Sequence, residues 1–213
     1  MNLFEDSNEW PEKLAPILTK YKGRKHPLDY QNLYQLMVMV VLSAQDSDAN
    51  INKMAPTLFE VYPNMESLSV SNVEALIPHI SKVRNFGIKA NWLIEIAQTI
   101  QKDKNIPLTM EGLTALKGIG RKSANVIMRE ANISAQGIIA DLHVIRVAPK
   151  IGLITETKDG IKAKKQLMQV LPKYIWGEIG MAISFLGREI CRPQPKCLEC
   201  PIRKNCQYPL KTI

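Results

Sequence analysis

Apolar residues recur along most of the chain at the three-to-four-residue spacing of helices with one buried face. The pattern predicts helices over residues 10–21, 33–44, 49–62, 70–80, 88–101, 108–116, 122–131, 141–151, 161–170 and 174–190. The first carries Pro11 in its opening turn, where the missing N–H does no harm. The second is apolar on nearly every face, as a central buried helix would be. Breaks fall on turn residues: Pro63-Asn64, Phe86-Gly87, Asn105 to Pro107, and Asp159-Gly160. No alternating run competes as a sheet, although 137–140 looks briefly extended. The predicted class is all-α.

The pattern stops at Cys191. From there the chain is rich in Cys, Pro and Lys, with no helical period, so something other than an apolar core must order it. All four cysteines lie in this tail, as C-x5-C-x2-C-x5-C at Cys191, Cys197, Cys200 and Cys206. Zinc sites usually pair two short knuckles, and only one is present. Four thiolates in a compact basic loop point to an iron–sulfur cluster ahead of zinc or unligated cysteines. Arg192, Lys196, Arg203 and Lys204 are placed either to meet a phosphate backbone or to offset thiolate charge.

Charge sharpens the picture. With 46% hydrophobic and 23% charged residues, the balance over 213 residues is that of a globular protein. The formal charge of +8 favours a polyanionic partner, with nucleic acid ahead of membrane; a basic protein with no such partner is the alternative. Residues 1–6 have neither the basic start nor the apolar stretch of a secretion signal. The longest apolar run, 36–42, is far short of a membrane span. The expectation is a soluble, cytoplasmic protein associated with the nucleoid.

One short stretch then carries chemistry: L-K-G-I-G-R-K-S-A-N-V-I, residues 116–127. It reads as helix, tight turn, helix. Gly118 and Gly120 permit positive φ or close approach, and the following helix offers its N-terminal N–H groups as a phosphate seat. Lys117, Arg121 and Lys122 add positive charge. Lys122 at the helix start is either a phosphate contact or an amine nucleophile. The helix N-terminus, the Arg121 guanidinium and partial burial would each disfavour its ammonium form, freeing it to form a Schiff base. Asp141, opening A-D-L-H-V-I-R-V, reads as a helix N-cap and as the carboxylate such a lysine needs.

These segments, with L-S-A-Q-D-S-D-A-N-I-N-K at 42–53 and the cysteine loop, resemble the endonuclease III group of helix-hairpin-helix DNA glycosylases, in order from about residue 30 to 206. The resemblance implies a six-helix domain over 24–136. It implies a second domain from 1–23 and 137–213, ending in a [4Fe–4S] loop at 191–206, and a cleft between the two. It implies that Lys122 attacks the sugar C1′, that Asp141 assists, and that the damaged base is flipped from the duplex. Gln45 would fill the gap in the stack, and β-elimination would nick the strand; from its place beside Asp141, His143 either lines the site or packs helices together. The expected substrate is an oxidised pyrimidine in double-stranded DNA, handled by a monomer. A mismatch glycosylase acting on T or U opposite G, or a non-catalytic DNA-binding iron–sulfur protein, are the alternatives.

The chain departs from that family at several points. Lys117 stands where proline is usual and Leu142 where threonine is common. The intervals from Lys122 to Asp141 and between the first two cysteines each differ by about one residue. R-N-F-G-I-K-A at 84–90 replaces an aliphatic wedge, so Asn85 or Phe86 must take that role.

Overall fold

The computed structural model describes residues 9–210. No strand occurs among them; they form eleven α-helices joined by turns and short 3-10 segments. The chain divides into two compact units. One runs from Lys25 to Ile133; the other joins the segment ending at Arg24 to the segment beginning at Ser134.

The continuous unit is built around α2 (Leu33–Ser43). Asn32 caps it by accepting the N–H of Gln35 at 2.9 Å. Tyr34 and every residue from Leu36 to Leu42 are buried. A helix with no polar face has to be central, and α3 (Asp48–Val61), α6 (Phe86–Ile100) and α8 (Arg121–Glu130) pack on it. The helix predicted over 70–80 begins at residue 73, and a short helix that the pattern did not predict precedes it at 65–69. α4 (Met65–Ser69) begins at Asn64, which with Ser67 makes a reciprocal capping box. α5 (Val73–Ile80) begins at Asn72, which accepts the N–H of Ala75 at 2.9 Å. Each helix buries only two side chains, Met65 with Leu68 and Leu76 with Ile80. Caps worth about 1 kcal/mol apiece are therefore a large share of what holds them. α7 (Met110–Thr114) is shorter than predicted, starting after the cap Thr109.

In the discontinuous unit, α1 (Trp10–Lys20) lays Trp10, Leu14 and Ile17 toward α11 (Trp176–Glu189). α9 (Leu142–Ile151) packs on α11, and α10 (Gly160–Val170) on α9. One face of α11 is lined by small residues, Gly180, Ser184 and Gly187, at helical spacing. A Cβ on Gly180 would collide with the main chain of Ile139, and one on Gly187 would lie 2.9 Å from Cβ of His143. The lack of side chains there lets the start of α9 settle directly on the α11 backbone.

Beyond α11 the core runs out. From residue 190 to 210 only Ile190 and Ile202 are buried, as the loss of helical period at Cys191 predicted.

Candidate functional site

The 116–127 stretch folds as read. α7 ends, the chain turns tightly with Ile119 N–H on the Leu116 carbonyl (3.2 Å), and α8 begins at Arg121. Ile119 is buried and anchors the turn. The two glycines differ in purpose. Gly118 has φ +79°, and a Cβ there would sit 2.5 Å from Cε3 of Trp92; the protein itself requires this glycine. Gly120 has φ −84°, no side-chain cap, and nothing within 4 Å of a would-be Cβ. It is exposed, and it leaves the N-terminus of α8 open to an outside anion.

Arg121 and Lys122 project from this helix start, both exposed. The partial burial expected for Lys122 is not supplied by the protein: position N2 of α8 lies outside the core that Ala124 to Met128 form. Lys117 has a partner within the protein, its Nζ lying 2.9 Å from Oε2 of Glu95.

In the other unit, Asp141 is the N-cap of α9, as predicted. Its Oδ1 accepts the N–H groups of His143 and Val144, each at 2.9 Å. Its Oδ2 accepts the hydroxyl of Ser184 at 2.6 Å and lies 3.6 Å from Nη2 of Arg188. Arg188 Nε in turn donates to Ser184 Oγ at 3.3 Å. The carboxylate is thus fixed from two helices. His143 is half-buried against Gly187, with Nδ1 3.5 Å from Arg146 Nη2. Its Cβ packs on α11 at Gly187. Leu142, next to the aspartate, is 82% exposed.

Gln45 and Asn85 both adopt left-handed backbone conformations, φ +59° and +58°, and both are exposed. Asn85 stands at the N-cap of α6 without capping it. Phe86 beside it is exposed as well.

The four cysteines line one cavity, together with Ile190, Pro195, Arg203 and Tyr208. None is disulfide-bonded. Burial pushes the Cys191 thiol up, against the pull of Lys150 and Arg146, and burial likewise raises Cys200. Thiols held this way need a cationic group to be drawn into the thiolate form. Among the described residues, no three Cys, His or acidic groups close around a point that could hold one metal ion. Four thiols lining one cavity are the soft donor set that a thiophilic metal centre takes. Of the neighbouring cations, Lys196 lies 3.5 Å from Glu199 in the same loop, and Arg192 donates to the Arg188 carbonyl at the end of α11 at 2.9 Å.

The fold and the hairpin define a helix-hairpin-helix protein of two helical units with a cysteine-rich tail. Residues 38–173 match the family model described as HhH-GPD superfamily base excision DNA repair protein. The chain belongs to that family. It is 34% identical over 194 residues to an endonuclease III of Synechocystis, covering 89% of this chain and 88% of the relative. It is 32% identical over 183 residues to an endonuclease III of Bacillus subtilis, covering 84% and 83%. A solved structure of a trapped endonuclease III–DNA covalent intermediate superposes with a TM-score of 0.81 at 28% identity, over 94% of this chain and 95% of the other. A thermostable thymine-DNA glycosylase shares the fold, with a TM-score of 0.76 at 17% identity over 94% and 98%.

Sequence reading missed Ser184 and Arg188 beside Asp141, and also Asp46 and Lys89, which bond to Arg84 N–H and to the Leu42 and Ala44 carbonyls next to Asn85 and Gln45. The first two were signalled only by the small residues spaced around Ser184. Lys89 was signalled by its register, falling on the buried stripe that continues through Leu93, Ile96 and Ile100.

Proposed function

We propose that this protein is a base-excision-repair DNA glycosylase with abasic-site lyase activity, acting on damaged pyrimidines in double-stranded DNA. The observation that carries this reading is Lys122, an exposed amine in the first turn of α8 immediately after the open glycine Gly120. A phosphate seated on the α8 N-terminus puts a backbone sugar within reach of that amine. Such seating is independent of sequence and fixes register on the duplex.

In this reading the damaged nucleotide is extruded and its C1′–N bond breaks. The Asp141 carboxylate, already oriented by the hydrogen bonds of His143, Val144 and Ser184 and the ion pair with Arg188, offsets the positive charge developing on the sugar. Lys122, as the neutral amine, bonds to C1′; the base departs with a proton, the sugar ring opens, and a Schiff base to the lysine remains. Loss of a C2′ proton then expels the 3′ phosphate, nicking the strand. Gln45 fills the space the base leaves, and Asn85 or Phe86 serves as the strand wedge. Arg121 adds charge to the phosphate seat. The enzyme works as a monomer on chromosomal DNA in the cytoplasm. No helix among the described residues is long and apolar enough to cross a membrane.

Cys191, Cys197, Cys200 and Cys206 would hold a [4Fe–4S] cluster. Bound there, it would supply the cross-link that orders a tail with almost no core. The chain's own residues prepare that place: Ile190 and Ile202 anchor its two sides, and Arg146 fixes the turn by donating to the Cys191 and Gly187 carbonyls.

The test is borohydride reduction in the presence of duplex DNA with a single abasic site, which converts a lysine Schiff base into a stable adduct. A panel of duplexes with one defined lesion each then reads the base preference. No adduct on the abasic duplex would overturn the lyase assignment.

A further inference from the structure

Lys89 is a charged side chain placed in the core, with only 2% of it exposed. Its Nζ donates to the carbonyls of Leu42 and Ala44, both at 2.7 Å. These are groups that the end of α2 leaves without helical partners, and the negative end of the helix dipole favours an ammonium there. Burial and the charge of Arg84 lower the lysine's pKa; Asp46 pulls it back. The next residue after Ala44 is Gln45, in its left-handed conformation.

Asp46 makes the second tie. Its Oδ2 accepts the N–H of Arg84 at 2.7 Å, and its Oδ1 accepts from Ser47 N–H at 2.8 Å and Asn50 Nδ2 at 3.0 Å. Asn50 Nδ2 also reaches the Lys82 carbonyl at 3.2 Å. Burial opposes the Asp46 charge, but these donors and Lys89 outweigh it and hold the carboxyl below its ordinary value. The turn bearing Gln45 is therefore bonded to the turn bearing Asn85, through residues adjacent to each. Both Gln45 and Asn85 sit in strained backbone. Neither side chain is hydrogen-bonded to the described residues, and both are exposed, so both carboxamides offer donor and acceptor to an outside group.

We infer that Asp46 and Lys89 are positioning residues, locking the Gln45 and Asn85 turns into one rigid two-amide element that enters the base stack as a single body. This rests on the glycosylase reading above. Its consequence is specific to duplex DNA, because a single strand has no stack to enter and no opposite base to meet.

The experiment compares Asp46→Ala and Lys89→Met with the wild-type chain on abasic duplex and abasic single strand, using borohydride trapping rates. A 2-aminopurine placed opposite the abasic site reports unstacking by its fluorescence. Loosening the element should cut the duplex rate by about tenfold or more and abolish the fluorescence rise, while the single-strand rate stays as in wild type. A variant that was merely unstable would lose both rates together. Asp46 lies outside the core, so Asp46→Ala carries the test alone where Lys89→Met does not fold. A wild-type duplex rate and fluorescence response in Asp46→Ala would overturn the inference and leave the lyase reading standing. A wild-type chain that traps neither substrate would overturn both.

Discussion

The hydroxyl of Ser184 donates a 2.6 Å hydrogen bond to Oδ2 of Asp141 while Oδ1 of the same carboxylate caps α9. The contact exists because Gly180 and Gly187 flank Ser184 on α11 and admit the neighbouring chain to backbone distance. Both carboxylate oxygens are thus committed before any substrate binds, and reorganisation at the moment of reaction is small.

Removing that hydroxyl should leave the cap intact and free only Oδ2. Ser184→Ala is expected to slow single-turnover base excision by about tenfold, the effect of one hydrogen bond to a charged group of about 1.5 kcal/mol. DNA affinity should not change. Asp141→Asn should be far slower, by about a hundredfold or more, because a neutral amide cannot offset charge on the sugar. Asparagine caps about as well as aspartate, so unfolding curves should differ little. Excision by Asp141→Asn at the wild-type rate would remove the aspartate from the mechanism.

Lys122 is exposed and has no hydrogen bond or ion pair to the described residues, so its replacement should be silent in stability, within about 0.5 kcal/mol. Lys122→Gln should nevertheless abolish borohydride trapping while duplex binding persists through the hairpin. Undiminished trapping would place the nucleophile elsewhere.

The two hairpin glycines should separate cleanly. Gly118→Ala combines φ +79° with a collision on Trp92, and should destabilise the protein by about 2 kcal/mol or more. Gly120→Ala meets no atom of the protein and should cost at most about 1 kcal/mol at a cap position. Its effect belongs to binding: affinity should fall equally for damaged and undamaged duplexes, measured by fluorescence anisotropy. A loss confined to damaged DNA would assign Gly120 to base recognition instead.

Purified protein should be yellow-brown, with about four irons per chain. Cys200→Ser should lose the colour. Limited proteolysis should then cut first between residues 190 and 210, where only two side chains are buried, before it reaches the unit from Lys25 to Ile133. Colourless protein with stoichiometric zinc would refute the cluster.

The reading from pattern alone succeeded where burial is continuous. α2 and α11 are long enough for their apolar faces to declare themselves, and Asp141 was recognisable as a cap because its chemistry is local. α4 spans five residues, too few for a period, and is set by the Asn64–Ser67 capping box and not by a stripe. Lys122 was expected to be partly buried, but exposure is decided by where α8 meets its neighbours. Lys117 was counted with the phosphate seat, and its partner within the protein, Glu95, is distant in sequence. For Ser184 and Lys89 spacing showed at most that the position is buried: a serine or lysine acquires its role only when the fold delivers its partner.

The chain order of the discontinuous unit has a consequence during synthesis. α1 is made before the other unit, yet the α11 surface that covers Trp10, Leu14 and Ile17 is encoded after the whole of it. At about 5–20 residues per second, α1 waits roughly 8–30 s on the ribosome with its apolar face uncovered. In that interval the unit from Lys25 to Ile133 is free to fold, with all its contacts contained in sequence already emerged. The nascent protein therefore passes through a state with a finished hairpin, an unfinished carboxylate site and one sticky helix. That helix is where a chaperone would be expected to bind first.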